Sequence, residues 1–181
     1  SPFVIVQAES ERRAFMGLAG NYRLQLWSNG QAPSFARGET RRHTGLGLNF
    51  DQRLHDAVAV FGRYGAGWGE GLPFDRTLSI GAEVGGSYWG RAGDAIGIAL
   101  GANRTSADFR ERSATLDADG DGVPDYGFSA RGWEQMGELY YRFRVHKSFE
   151  ISPDIQYIRN PAGNQDRRPV AIIGLRALLN Y

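Results

Sequence analysis

The sequence contains no cysteine, so disulfides and thiolate chemistry play no part in it. That absence fits an envelope protein that avoids stray pairing, and it fits many cytosolic chains equally. No run of eighteen or more apolar residues occurs, which excludes a transmembrane helix, and mean hydropathy is low at −0.41. Neither sign of charge is in excess: 21 basic and 20 acidic residues are interspersed and leave a net charge of +1. A nucleic-acid partner is therefore not expected. There is no P-loop and no G-x-S-x-G, and the glycine-rich "GEGLPFD" (Gly69–Asp75) has no helix behind it to form a phosphate cradle. His43, His55 and His146 fall in or near separate connections, where they cannot form one metal cluster or complete a catalytic triad. No enzyme is expected. No secretion signal opens the chain, and Ser1-Pro2-Phe3 is not a natural initiator, so an upstream segment is expected.

What the sequence does have is alternation. A transmembrane β-strand needs only about 9–11 residues, half of them polar, so low hydropathy does not argue against one. Strands are predicted over Phe3–Ala8, Met16–Trp27, Thr44–Leu54, Ala57–Tyr64, Thr77–Trp89, Ala95–Thr105, Trp133–Val145, Ser148–Ile158 and Val170–Tyr181. Most of them split into one apolar and one polar row. Leu18, Tyr22, Leu24 and Leu26 oppose Asn21, Arg23, Gln25 and Trp27. Leu139, Tyr141, Phe143 and Val145 oppose Glu138, Tyr140, Arg142 and Arg144. The last strand runs to an aromatic terminus, with Ile173, Leu175, Leu179 and Tyr181 opposite Gly174, Arg176 and Asn180.

The connections alternate as well. "DQRLHDAV" (Asp51–Val58), "GRAGDAI" (Gly90–Ile96) and "RVHKSFE" (Arg144–Glu150) read as short polar turns. Asn29–Arg42, Gly65–Arg76, Ser106–Gly132 and Arg159–Pro169 read as long loops. Short and long in turn is the pattern of an up-and-down barrel with turns on one rim and loops on the other. Aromatics near strand ends (Tyr22, Trp27, Tyr64, Tyr88, Trp89, Tyr141, Tyr157, Tyr181) suit interface girdles. The fold class is thus all-β, an antiparallel barrel sheet of eight or nine strands in one domain. A soluble sandwich or lipocalin-like barrel has the same alternation with the faces inverted. Strand length and a polar row charged with both signs favour the membrane.

Several stretches carry a resemblance: "LAGNYRLQLWSNG" (Leu18–Gly30), "GLGLNFDQRL" (Gly45–Leu54), "VFGRYG" (Val60–Gly65), "GSYWGRAGDAIGIALGAN" (Gly86–Asn103) and, most specifically, "SPDIQYIRNPAGNQDRRPVAIIGLRALLNY" (Ser152–Tyr181). These resemble the OprB family of carbohydrate-selective porins over most of the chain except Ser106–Gly132. The resemblance implies a barrel of about sixteen strands in the bacterial outer membrane, with this chain its C-terminal half. It also implies passive uptake of a mono- or oligosaccharide. Outer-membrane lipids, lipopolysaccharide, further copies of the chain or other envelope proteins are the expected partners. The residues expected to line the lumen are Arg23, Trp27, Arg63, Glu83, Trp89, Glu138, Tyr140, Arg142, Arg144, Asp154 and Arg176. A neutral solute rich in hydroxyls suits charged groups of both signs and aromatic faces. Taken singly, each arginine reads as a rung in a wall-stabilising ladder of arginine and carboxylate; as a set they shape the pore. The alternative is a plugged barrel that serves in partner binding or assembly through its loops.

The longest loop carries "DADGDGVPDYGF" (Asp117–Phe128). Asp117, Asp119 and Asp121 fall at positions 1, 3 and 5 of a calcium loop. Gly122 stands at the turn, Val123 could offer its carbonyl, and Asp125 stands at position 9. Phe128 stands where an EF-hand has its bidentate glutamate, so a weak extracellular type of calcium site is expected. No cofactor is otherwise required.

Overall fold

The computed structural model describes residues 2–180; Ser1 and the terminal aromatic Tyr181 lie outside the described residues. Nine strands form a single sheet: β1 (Phe3–Phe15), β2 (Leu18–Pro33), β3 (Thr40–His55), β4 (Val58–Trp68), β5 (Phe74–Gly85), β6 (Ala95–Thr105), β7 (Trp133–His146), β8 (Phe149–Arg159) and β9 (Val170–Leu179). A short helix, α1 (Ala107–Arg112), follows β6, with the Ser106 side chain accepting the Phe109 N–H at its N-terminus. Sheet order equals chain order from β1 to β9, and every pairing is antiparallel. Among the described residues, β1 and β9 are not paired with one another and form the two edges of the sheet.

Register places opposed residues on the same face, and it makes the two predicted rows continuous across strands. One row runs Glu9, Arg23, Asn49, Arg63, Ser79, Gly101, Met136. The adjacent row on the opposite face runs Ala8, Leu24, Leu48, Tyr64, Leu78, Ala102. The second face holds exposed Leu24, Leu48, Leu78, Ile80, Ile98, Leu100, Leu139 and Ile155, and its β9 residues Ile173 and Leu175 are 85% and 73% exposed. A soluble sandwich buries such a face. Here the buried large apolar side chains lie outside the sheet, Phe35 in the β2–β3 loop and Phe109 in α1, where they pack with Leu116, Tyr126 and Phe128. The sheet therefore presents a continuous apolar surface far beyond what a soluble monomer exposes.

At two places the strands differ from the sequence prediction, and a turn follows each. β1 continues past Ala8 to Phe15 because its second half is polar on both faces, which erases the alternation signal. Met16 and Gly17 then close a two-residue turn with φ of 48° and 74°, the doubly positive geometry that matches strand twist. β5 ends at Gly85, and residues Gly86–Trp89 form a 3-10 turn instead of extending the strand. A Cβ on Gly86 would stand 2.0 Å from the Arg91 carbonyl oxygen, so glycine is required where the chain folds back.

That turn is tied down by Asp94, whose side chain is 1% exposed. Asp94 accepts from Arg91, from the Tyr141 hydroxyl at 2.5 Å and from the Arg144 backbone N–H at 3.0 Å. The Arg91 guanidinium, the largest influence, holds the Asp94 carboxyl well below the usual carboxylate range. A carboxylate with a depressed folded pKa stabilises the fold above about pH 4, and the contribution drains as pH falls. The difference in Tm between the wild-type protein and Asp94→Asn should therefore narrow between about pH 7 and pH 3. A constant gap in thermal scans would sink this account.

Candidate functional site

The candidate site is the charged face of the sheet. Arg23, Trp27, Arg63, Glu83, Glu138, Tyr140, Arg142, Arg144, Asp154 and Arg176 all lie on it by register. Trp89 does not. It sits in the 3-10 turn beyond β5, where its Nε1–H donates to the hydroxyl of Tyr141, a residue of the apolar face. The prediction placed it on the polar row because it carried strand parity through Gly86.

The charges are organised as cross-strand ladders. Arg23 on β2 reaches Glu9 on β1 at 2.9 Å and Asp51 on β3 at 3.1 Å. Arg142 on β7 reaches across β6 to Glu83 on β5 at 2.9 Å, and Tyr140 donates to the other oxygen of the same carboxylate. Arg144 pairs with Glu150. Each pair is part-exposed, so each contributes modestly to stability, about 0.2–1 kcal/mol. Together they fix long side chains against the wall. Arg63 is looser: its ion pair to Asp51 is 4.0 Å long, and its guanidinium lies 4.9 Å from the Phe61 ring. Glu138 has no ion pair or hydrogen bond among the described residues.

Glycine sets how the aromatics lie. Trp27 faces Gly45, Phe61 faces Gly81 and Tyr140 faces Gly97 as direct cross-strand partners. A Cβ on any of these glycines would come within 2.2–2.5 Å of the ring opposite. Each ring is therefore laid against a neighbouring backbone, an arrangement known to shield strand glycines. Phe61 is absent from the expected lining although it stands two residues before Arg63 on the same strand and so shares its face.

Long loops fold over the same face at their rim. Leu72, in the β4–β5 loop, approaches Gly67, and the buried His43 ring contacts the Glu70 carbonyl oxygen at 2.9 Å. Asp108 of α1 accepts the Gly71 N–H, and Tyr126 donates to the Phe35 carbonyl oxygen. The Asn160–Asn164 segment is pinned by Glu134, which accepts the Ala162 N–H at 2.7 Å.

In the long loop, ligand oxygens of Asp117, Asp119 and Asp121 lie within 4.8 Å of one another. Asp117 accepts the backbone N–H groups of Gly120, Asp121 and Gly122, and these bonds, that from Gly122 foremost, lower its pKa. Asp125 is not in the cluster: it accepts the Ala118 N–H and faces Arg37 at 3.8 Å. Val123 is exposed, and its N–H is bound to Asp121.

Comparison with known proteins points the same way. Residues 10–181 match the family model described as carbohydrate-selective porin, OprB family. The chain is 25% identical over 161 residues to Porin AaxA of Chlamydia pneumoniae, covering 89% of this chain and 33% of that protein. It is 24% identical over 159 residues to Porin AaxA of Chlamydia caviae, covering 88% of this chain and 31% of that protein. The chain thus spans about a third of the length of these curated relatives. Its fold superposes on the high-pH structure of Pseudomonas putida OprB with a TM-score of 0.79 at 19% identity, covering 98% of this chain and 48% of that one.

Proposed function

The chain belongs to the OprB family of carbohydrate-selective porins, and from that premise we propose that its charged face lines the lumen of a pore for passive diffusion of saccharides. It is an outer-membrane β-barrel protein, and the apolar face is the surface that lipid covers. The observation that carries the reading is the segregation of the two faces. Ladders of Arg and carboxylate occupy one side of the sheet, and exposed Leu, Ile and Val occupy the other. A hydrophobic solute would find little on the charged face, whereas a polyol finds donors and acceptors fixed in place. Contacts must stay weak individually, since a pore that holds its solute stops conducting. The loops packed over the charged face at one rim narrow the entrance.

Proteoliposomes containing the protein purified from outer membranes should swell in isotonic glucose. Absence of swelling with any neutral sugar would favour the plugged barrel that binds partners through its loops. Replacing Arg142 and Arg144 by Ala leaves Glu83 and Glu150 uncompensated. The ratio of K⁺ to Cl⁻ permeability should then rise in planar bilayers, with expression unchanged. An unaltered ratio would mean that this face does not border the ion path.

We also propose that Asp117, Asp119 and Asp121 take up calcium weakly, with Kd on the order of 10⁻⁴–10⁻³ M. Their oxygens already converge, which supports the reading. Calorimetry should show a calcium-dependent heat that Asp119→Asn with Asp121→Asn abolishes, and a flat wild-type isotherm would refute it.

A further inference from the structure

The apolar face carries charge at its long-loop rim. Arg76 of β5 and Arg104 of β6 are direct cross-strand partners, and Ala66 of β4 and Trp133 of β7 stand on either side of them in the same row. Opposed residues share a face. The next row along these strands holds Tyr64, Leu78 and Ala102, which belong to the surface that lipid covers. The matching row at the short-turn rim is Val58, Val84, Ile96 and Tyr141, without a charge. On these strands the cations therefore stand at one edge of the apolar band and not at the other.

Two guanidiniums directly opposed repel one another, and Asp75 gives both of its oxygens to one of them, Arg104, at 2.8 Å each. Arg76 has no ion pair among the described residues. It donates to the Asp75 carbonyl oxygen at 2.7 Å, and its guanidinium lies 5.5 Å from the Trp68 ring. Two further arginines share this edge. Arg42 of β3 has the parity of Thr44, the partner of Trp68, and Arg159 of β8 is the partner of Gln135, two residues beyond Trp133. Both are exposed, and neither is ion-paired among the described residues. Four arginines against one aspartate leave a positive edge that runs from β3 to β8, about 24 Å at the usual strand spacing. Hydrocarbon cannot neutralise it, and arginine does not give up its proton. Guanidiniums bind phosphate through paired hydrogen bonds, and the exposed rings of Trp68 and Trp133 suit the level of lipid headgroups. Exposed Leu78, Ile80, Ile98 and Leu100 continue toward the middle of the band. A ligand that matches this surface has more than one phosphate at its head and alkyl chains behind it.

We propose that Arg76 and Arg104, with Arg42 and Arg159 beside them, hold the phosphates of a multiply phosphorylated lipid of the outer leaflet, whose acyl chains lie along Leu78 and Leu100. The proposal rests on the outer-membrane reading above and not on the identity of the solute. Glucose-driven swelling is independent of it, so failure of the lipid site leaves the pore standing. The test is native mass spectrometry of the detergent-solubilised protein titrated with bisphosphorylated lipid A, which should bind saturably. Its Kd should rise about tenfold in Arg76→Gln, the loss of one hydrogen bond from a charged group, with the pair of Arg104 and Asp75 left intact. Asp75→Asn, which frees Arg104, should instead lower Kd about threefold. Arg12→Gln, on the same face at the short-turn rim, should change nothing. Dephosphorylated lipid A should bind at least tenfold more weakly than the phosphorylated form. Equal Kd in the wild type and Arg76→Gln, or for the two forms of lipid A, would overturn the site. Saturation by inorganic phosphate as tight as by lipid A would make this a site for soluble anions and overturn the lipid assignment. A changed subunit number in Arg76→Gln with lipid binding unaltered would make the edge a contact between copies and overturn it as well.

Discussion

Leu100→Arg should destabilise the protein in lipid by about 2–4 kcal/mol, the penalty for a cationic side chain near the bilayer midplane of a barrel. Leu100 lies at the middle of β6, is 55% exposed and belongs to the apolar face. Among the described residues nothing covers it fully, and in a barrel wall hydrocarbon takes that place. An arginine there must desolvate or drag water and headgroups inward. Thr77→Arg, on the adjacent strand and the charged face, should change stability by no more than about 0.5 kcal/mol, as surface substitutions ordinarily do. Reversible urea unfolding in phospholipid vesicles measures both. Equal effects at the two positions would mean that the faces have been assigned backwards or that neither borders lipid.

Gly81→Ala should cost about 1–3 kcal/mol, the range for forcing atoms into a filled space. The added Cβ would stand 2.4 Å from the Phe61 ring and 2.6 Å from the Ile98 carbonyl oxygen. A ring can rotate aside, but the carbonyl belongs to the sheet ladder and cannot move without breaking pairing between β5 and β6. Gly137→Ala supplies the contrast: its nearest neighbour is Leu100 Cδ2 at 3.5 Å, ordinary contact. Alanine there should be neutral within about 0.5 kcal/mol or slightly stabilising. The same unfolding assay separates the two. If Gly81→Ala proved as silent as Gly137→Ala, the close seating of Phe61 on β5 would be wrong.

The central strands were readable because each keeps one face apolar over its whole length, and a period of two survives errors at the ends. Where both faces share a character, the signal disappears. The stretch from Glu9 to Arg13 is polar on both sides of β1, so half of that strand went unseen. At Gly86 the reverse happened: alternation continues in letters while the backbone turns, and Trp89 was carried onto the wrong face. Which residues share the charged face was legible at most positions, since strand parity assigns them, with Trp89 and Phe61 the exceptions. Their pairing was not. That Arg142 spans β6 to reach Glu83, while Glu138 on the same strand stays free, depends on the small residues of β6 between them. The calcium-like loop shows the same limit. Three aspartates converge as their spacing suggests, but Asp125 is drawn away by Ala118 and Arg37.

Strand order that equals chain order makes the hairpin the unit of inheritance. Each two-residue turn, such as Met16–Gly17, fixes the register of its own pair without reference to distant strands. A duplication or loss of one hairpin would therefore leave every surviving pair in register. It would change the circumference by two strand spacings, roughly 10 Å. Bore diameter in such a lineage can move in discrete steps, while the chemistry of each wall segment is carried along intact.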